Sequence, residues 1–264
     1  MWLIRMIEEF SSHFLIAFIS VLSNFLSAFS GGGAGLIQLP ALIFLGLPFT
    51  KALATHKIAS IALGVGASIR HSREKTLSIY HSILIIVFGI PGVVFGAKIV
   101  IILPSQYTTF ALGLLTLILG IYSSRLKSSN NIQNQVNLKQ NRILVGSIVL
   151  FIIGLLNGSF SSGTGLFVTL WLVKWFRFSY ISAVAHTLIL VGIGWNSTGA
   201  LVLALNSDVE WAWIPTLILG SLIGGYLGAS YGIRKGEVIV KRSFEVISII
   251  MGLSLMSKGV LTLM

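Results

Sequence analysis

The stretch Ser30-Gly31-Gly32-Gly33-Ala34-Gly35, followed by Pro40, interrupts an apolar part of the chain and decides how its first half folds. Consecutive glycines are poorly tolerated inside a helix, because each costs about 1 kcal/mol relative to alanine. A similar break, Ser159-Phe160-Ser161-Ser162-Gly163-Thr164-Gly165, recurs in the second half. Irregular backbone at membrane depth is tolerated only where protein or a water-filled cavity surrounds it. The two stretches therefore predict two Gly-broken, re-entrant or spanning, helical hairpins.

The composition around these breaks is that of a membrane protein. The 264 residues are 55% hydrophobic and 9% charged, whereas soluble domains carry roughly 25% charged residues. This composition predicts an all-α integral membrane protein that contacts the lipid bilayer. The net charge of +11 is explained by basic cytoplasmic loops, so no nucleic acid partner is expected. Cysteine is absent, and the five histidines show no metal-ligand spacing, so no metal or cofactor is expected.

Ten apolar stretches indicate the membrane segments. They cover approximately residues 10–29, 34–49, 52–69, 79–101, 105–123, 143–160, 164–176, 180–205, 211–233 and 243–263. A spanning helix needs about 17–25 residues, and most of the stretches have that length. The two short ones, 34–49 and 164–176, each follow a break. Because Glu8 and Glu9 precede the first stretch and no small-residue cleavage site follows it, the N-terminus is expected to be retained.

The positions of the basic residues predict the orientation. Thirteen of the 18 lysines and arginines fall in four connections, near residues 70–75, 125–142, 174–177 and 234–242, and basic loops stay in the cytoplasm. The connections 102–104 and 206–210 lack basic residues and are expected to be external. Each half then contains a broken hairpin plus three transmembrane helices. The prediction is a first membrane repeat at 1–123, a polar cytoplasmic loop at 124–142 and a second repeat at 143–264, with both termini external and the protein in the cell (inner) membrane.

Sequence matches between the halves favour an inverted-topology repeat. Gly33-Ala34-Gly35-Leu36 aligns with Gly163-Thr164-Gly165-Leu166 at an offset of 130 residues, and His56 aligns with His186 at the same offset. Inverted repeats are typical of secondary transporters, whose substrate site lies near the midplane between the repeats. At an offset of 132, Gly92-x-x-x-Gly96 aligns with Gly224-x-x-x-Gly228, a spacing that permits close helix packing.

The breaks also predict an anion site. Helices that begin near Ala34 and Thr164 would present free N–H groups and a positive dipole end, which is a suitable place for an anion. Ser161, Ser162 and Thr164 add hydroxyl groups. The alternative is that the glycines serve only for close helix packing.

Ionisable residues in the third apolar stretch are the other candidates. His56 shares a helix face with Ser60, Gly64 and Ser68, and an imidazole can carry a proton near physiological pH; a histidine hydrogen-bonded in the interior is the alternative. Lys57 either attracts an anion or extends its ammonium to the external headgroups. Four uncharged polar residues lie at membrane depth: Asn24, Gln38, Asn157 and Asn196. Gln38 and Asn196 either line a cavity or join helices by hydrogen bonds.

These motifs together resemble the TauE/SafE family of membrane transporters. The matching residues are Gly31-Gly32-Gly33 with Pro40, Ala52-Leu53-Ala54-Thr55-His56-Lys57, Ser162-Gly163-Thr164-Gly165 and Ala185-His186-Thr187. The resemblance covers essentially the whole chain. It implies transport of small, often sulfur-containing anions, coupled to an ion gradient. His56 departs from the family pattern, because Asn or Ser is common in its place, and the second break has fewer glycines than the first.

The sequence thus predicts a secondary transporter, not an enzyme, that moves a small anion by alternating access. A sulfur oxyanion or an organosulfonate is the first candidate substrate, with a proton as the coupling ion and a homo-oligomer as a compatible assembly. An uncoupled anion channel stays open as an alternative, as does a membrane-embedded enzyme or assembly factor. The candidate substrate-binding residues are Gly31, Gly32, Gly33, Ala34, Gln38, Thr55, His56, Lys57, Ser161, Ser162, Gly163, Thr164, Gly165, His186, Thr187 and Asn196.

Overall fold

The computed structural model describes residues 2–30, 32–71, 77–125, 140–235 and 238–261. Within these ranges the regular structure is helical, without a β-strand. Five segments in them are long and apolar enough to cross a membrane: Phe49–His71, Ile79–Ile102, Arg142–Phe160, Tyr180–Asn206 and Trp211–Gly232. The predicted all-α integral membrane class is therefore confirmed.

The first half consists of two parts separated by the first break. Its elements are α1 (Trp2–Ser30), a 3₁₀ turn (Ala34–Leu36), α2 (Gln38–Phe44), α3 (Phe49–His71), α4 (Ile79–Ile102) and α5 (Ser105–Arg125). Helix α1 begins ahead of the apolar stretch expected from residue 10, because the helix continues through the polar residues before it. The short helical segment expected near Ala34 begins there, but its first turn is a 3₁₀ turn and α2 starts at Gln38.

The second half has a similar order of helices, but its 3₁₀ turn lies before the fourth helical segment instead of after the break. Its elements are α6 (Gln140–Phe160), α7 (Thr164–Lys174), α8 (Tyr180–His186), a π-helix (Thr187–Trp195), α9 (Asn196–Asn206), a 3₁₀ turn (Trp211–Trp213), α10 (Ile214–Lys235) and α11 (Val238–Leu261). Where the first half has the continuous helix α3, the second half has α8, the π-helix and α9 in one uninterrupted helical segment. Helices α7 and α2 are the short elements expected after the breaks.

Helix α3 lies at the centre of the bundle. In the most apolar part of α3, 72% of the residues are buried, whereas the value is 39–44% in the other four spanning segments. It contacts α10 on one side and the π-helix and α9 on the other. Around it, α1 packs against α10, α4 against α6, and α5 against α11. The polar residues of α3 are therefore the ones that the bundle removes most completely from lipid.

Glycines allow the outer helix pairs to approach closely. A side chain at Gly92 or Gly96 of α4 would meet the backbone of α6 at Phe151 and Leu155. On the other side of the molecule, a side chain at Gly224 of α10 would lie 2.5 Å from the carbonyl oxygen of Val21 in α1. The packing role that the small-xxx-small spacing predicts is confirmed.

Candidate functional site

A small cavity lies between the two breaks, α3 and the π-helix. Its volume is about 30 Å³, on a scale where one water molecule needs about 10–15 Å³. The lining is mixed: backbone of the breaks, hydroxyl and amide groups, one imidazole, and the apolar side chains of Leu63, Leu188 and Val191. Such a combination of an apolar wall with a few convergent polar groups is typical of a small-molecule site.

The two breaks meet backbone to backbone beside this cavity. Gly32 has φ +125°, and a Cβ atom built on it would lie 2.5 Å from the carbonyl carbon of Gly165. A Cβ atom on Gly35 would lie 3.0 Å from the backbone of Ser161 and Ser162. Position 32 requires glycine on both counts, since L side chains rarely adopt this φ. The glycine run thus brings main-chain groups, rather than side chains, to the cavity.

The second break ends in a helix whose first residues line the cavity. Gly163 takes the left-handed conformation, with φ 67°, and α7 begins at Thr164. The Thr164 hydroxyl donates to the Ser161 carbonyl oxygen at 3.1 Å and accepts from the Asn157 amide at 2.8 Å. The N–H groups of a first helical turn have no partner within the helix, and Thr164 and Gly165, the first two residues of α7, both line the cavity. The dipole of α7, a helix of 11 residues, places its positive end at the same point.

Lys57 is buried directly beside the cavity. It is 0% exposed, and its Nζ donates to Asn157 Oδ1 at 2.9 Å and to Asn196 Oδ1 at 3.4 Å. Both asparagines line the cavity. Among the described residues no carboxylate pairs with Lys57, and the one ion pair within them joins Lys51 to Glu210. The interpretation that Lys57 extends to the lipid headgroups is therefore wrong, because the bundle encloses its whole side chain.

The stem of Lys57 fits against a glycine of α9. A Cβ atom on Gly199 would lie 2.8 Å from Lys57 Cδ and 2.9 Å from its Cε. An alanine there would be closer than van der Waals contact allows, so the bare backbone of α9 makes the space that the lysine occupies. This fit directs the ammonium to the two asparagines.

His56 also lines the cavity and has a fixed partner on its other side. The side chain is 1% exposed, and its Nδ1 lies 2.7 Å from Gln38 Oε1. Gln38 is itself 0% exposed. The structure thus puts an imidazole and an ammonium on consecutive residues of α3 at the cavity.

The structure brings many of the predicted site residues together. Those that line the cavity are Gly32, Gly33, Ala34, His56, Ser161, Thr164, Gly165, Thr187 and Asn196. Gln38 and Lys57 lie behind them, hydrogen-bonded to lining residues. Ser162 and Gly163 lie within the second break, where the Ser162 hydroxyl contacts that of Thr116 at 3.1 Å. Gly31 lies outside the described residues.

Two predicted residues lie elsewhere. The Thr55 hydroxyl donates to the Lys51 carbonyl oxygen at 2.7 Å and accepts from the Glu210 N–H at 3.0 Å. His186 accepts the Ser78 N–H at Nε2, 2.9 Å away, and its Nδ1 lies 2.7 Å from the Ser182 carbonyl oxygen. Neither residue lines the cavity. Thr55 binds the residue just before the 3₁₀ turn that precedes α10. His186 binds the residue just before α4.

Several lining residues were not among the predicted site residues. They are Ser27, Gly35, Ser60, Leu63, Asn157, Leu188, Val191 and Gly192. The sequence contained indications for four of them, of which Gly35 belongs to the first break itself. Ser60 follows His56 by one helical turn, Asn157 is polar at membrane depth, and Ser27 corresponds to Asn157 at the offset of 130 residues. The apolar residues carry no such indication, because nothing in their type distinguishes a cavity wall from the rest of the core.

Comparison with known proteins gives a family match and several relatives. Residues 16–255 match the family described as Sulfite exporter TauE/SafE. "Probable membrane transporter protein YfcA" of Escherichia coli (strain K12) is 26% identical over 260 residues, which cover 94% of each chain. "Probable membrane transporter protein ORF9" of Sinorhizobium sp is 26% identical, over 92% of this chain and 93% of the relative. No solved structure matches the chain.

The family match extends across both breaks, the cavity and all five spanning segments. The names of the relatives are those of membrane transporters rather than enzymes. The chain is a multi-pass membrane transporter, and it belongs to the sulfite exporter TauE/SafE family.

Proposed function

We propose that the protein is a secondary transporter of a small oxyanion, with sulfite as the first candidate, that couples transport to a proton and works by alternating access in the cell (inner) membrane. The family description supports the substrate class. The site residues that carry this proposal are Lys57, His56, the two asparagines that Lys57 contacts, and the first-turn N–H groups of α7.

The single observation that carries the proposal is the burial of Lys57. An ammonium in a low-dielectric interior costs several kcal/mol unless a charge of opposite sign neutralises it. Its neighbours, Asn157 and Asn196, offer only amide oxygens. A bound anion in the adjacent cavity supplies the missing charge. The N–H groups at Thr164 and Gly165 supply further donors, which are stronger in this environment than in water.

The size of the cavity favours a compact anion. With about 30 Å³, the site has room for about two water molecules. This suits a small inorganic oxyanion better than an organosulfonate with an extended organic chain. We therefore rank sulfite ahead of taurine or sulfoacetate as the substrate.

The arrangement of the helices supports two inverted repeats. The contact of α1 with α10 corresponds to the contact of α6 with α4, and α5 packs against its own counterpart α11. The breaks meet in the same exchanged way, Gly32 against Gly165 and Gly35 against Ser162. A pseudo-two-fold axis between the breaks accounts for all of these pairings. Rocking of the repeats about that axis opens the cavity to one side of the membrane and then to the other.

A counterflow assay in proteoliposomes tests the proposal. Vesicles loaded with unlabelled sulfite should accumulate external radiolabelled sulfite, whereas thiosulfate, sulfoacetate and taurine should compete less well. Counterflow requires alternating access, so an uncoupled channel would give equilibration without transient accumulation. Absence of both sulfite flux and sulfite binding in the purified protein would overturn the proposed function.

A further inference from the structure

A chain of buried polar side chains leads away from the cavity through α3, α2, α1 and α10. His56 contacts Gln38, Gln38 Nε2 donates to Ser20 Oγ at 3.0 Å, and Ser20 Oγ lies 3.2 Å from Ser221 Oγ. Asn24 Nδ2 donates to Ser221 Oγ at 2.9 Å and to the Ser20 carbonyl oxygen at 2.7 Å. All of these residues except His56 lie outside the cavity. Such a network determines which way its hydrogens point.

The direction of the hydrogens begins at Ser20. Its hydroxyl hydrogen is donated to the carbonyl oxygen of Leu217 at 2.8 Å, so the same oxygen can only accept from Gln38. The amide nitrogen of Gln38 therefore faces Ser20, and its oxygen faces His56. An amide oxygen is an acceptor only. The hydrogen between Gln38 Oε1 and His56 Nδ1, which are 2.7 Å apart, must then be on the histidine.

This assignment leaves the other ring nitrogen of His56 as an acceptor. A neutral imidazole that carries its hydrogen on Nδ1 has a lone pair on Nε2. The Ser60 hydroxyl oxygen is 3.3 Å from both ring nitrogens, so it lies to the side of the Nε2 lone pair and not along it. His56 thus contributes an acceptor to a cavity whose other polar groups include Lys57's two asparagines and the N–H groups of α7.

We infer that the cavity binds its oxyanion together with one proton, shared between an oxygen of the anion and His56 Nε2, and that Gln38 and Ser20 are positioning residues that keep this nitrogen free to accept it. The inference rests on the proposed function and adds the chemical form of the substrate. An oxyanion with an O–H group donates to Nε2 directly, while a fully ionised oxyanion brings the proton separately. In both cases the complex contains the anion and one proton, and the proton leaves with the anion.

The charges around the site suit an oxyanion that is bound together with one proton. Of the described residues that line the cavity, His56 is the one that can titrate; the breaks, α1, α6, α7, the π-helix and α9 contribute backbone, hydroxyl, amide and apolar groups. Lys57, the next residue on α3, provides a positive charge beside the cavity. One cation and one acceptor match an anion that carries one net negative charge and one hydrogen.

The tautomer can be measured without any substrate. In purified protein with ¹⁵N-labelled histidine, the imidazole signals that disappear in His56→Gln belong to His56, and we expect them to show a protonated Nδ1 and an unprotonated Nε2. Ser20→Ala removes the group that orients Gln38 and should populate the other tautomer. Ser159→Ala is the control, because this buried hydroxyl donates to the carbonyl oxygens of Gly96 at 3.1 Å and Leu155 at 3.0 Å, away from the chain that leads to His56, and should leave the signals unchanged. A protonated Nε2 in the wild type would overturn the assignment.

The proton itself is counted in proteoliposomes at a pH where sulfite is fully ionised. Each sulfite that enters should release one proton in the lumen, measured with a trapped pH dye. Methanesulfonate is far too weak a base to take up that proton, so it cannot present an O–H group to His56 Nε2. It should therefore bind about tenfold more weakly or worse, since one charge-assisted hydrogen bond is lost. His56→Gln should reduce the count from one to zero, while His186→Gln, a change outside the cavity, should leave it at one.

The outcomes separate the two hypotheses. Sulfite flux without proton release in the wild type would overturn this inference and leave the proposed function standing. Failure of the wild type to bind or move sulfite would overturn the proposed function itself, whatever the tautomer of His56.

Discussion

Replacing Lys57 with methionine tests the anion site most directly, because the change should have opposite effects on binding and on stability. Methionine keeps most of the length of the side chain and removes its charge. A hydrogen bond to a charged group is worth about 1.5–3 kcal/mol, so the dissociation constant for sulfite should rise about 10- to 150-fold. The ammonium is 0% exposed and contacts only amide oxygens, so its loss removes the whole positive charge of the site.

The same substitution should not destabilise the fold. A buried charge replaced by an apolar side chain of similar volume is often neutral, or stabilising by about 1–4 kcal/mol. Asn157 and Asn196 lose their donor, but both line the cavity, where water can hydrogen-bond to them. We therefore expect the thermal unfolding temperature of Lys57→Met to equal or exceed that of the wild type when no anion is present.

Two measurements on the detergent-purified protein check this prediction: titration calorimetry with sulfite, and unfolding temperature with and without sulfite. Lys51→Met is the matched control on the same helix, because that lysine is partly exposed and pairs with Glu210 at 2.8 Å; its sulfite affinity should equal that of the wild type. Wild-type affinity in Lys57→Met would refute the anion-site argument. A folded variant with strongly reduced stability would show that Lys57 serves the packing instead.

Three further results are expected. A single cysteine at Asn131 should resist an impermeant thiol reagent in intact cells and one at Asn206 should react; the chain has no cysteine of its own, and reversed labelling would invert the topology. Gly33→Val and Gly163→Val should each abolish sulfite binding yet insert into the membrane, because φ values of 119° and 67° disfavour side chains; retained binding would contradict the role of the breaks. Gly89→Ala should lower stability by about 1–3 kcal/mol through overpacking against a buried indole, and an unchanged unfolding temperature would exclude that contact.

The main features of the fold could be predicted because they depend on local composition. Three consecutive glycines disfavour a helix by about 1 kcal/mol each relative to alanine, and long apolar stretches with few charges are suited to the bilayer. The sequence therefore predicted the breaks and the short helices that follow them. The 3₁₀ turn at Ala34–Leu36 could not be foreseen, because it depends on how closely Gly35 approaches Ser161 and Ser162 across the cavity.

The placement of His186 shows where sequence matching fails. At an offset of 130 it aligns with His56, yet its hydrogen bond to the N–H of Ser78 corresponds to the one that Thr55 makes with Glu210. In the inverted repeat that we propose, His186 corresponds to Thr55, and Thr187, which lines the cavity, corresponds to His56. A shift of one residue rotates a side chain by about 100° around a helix. Identical residue types at a regular offset concealed that shift.

The burial of Lys57 depends on residues that are far away in the sequence. Nothing near position 57 distinguishes a lysine that reaches the headgroups from one that is enclosed. The difference lies in α9, where Gly199 leaves space for the side chain, and in the two asparagines that receive its ammonium. Only the tertiary arrangement of α3, α6 and α9 brings these residues together.

The contact between Lys57 and Gly199 has a consequence for how the protein can evolve. A methyl group on residue 199 would lie 2.8 Å from Lys57 Cδ, so a lineage that gains it must shift the end of the lysine and with it the hydrogen bonds to Asn157 and Asn196. A lineage that replaces Lys57 by a shorter side chain leaves an internal void, which alanine or serine at position 199 would fill. The two positions are thus expected to change together. Descendants without Lys57 would lack the positive charge beside the cavity.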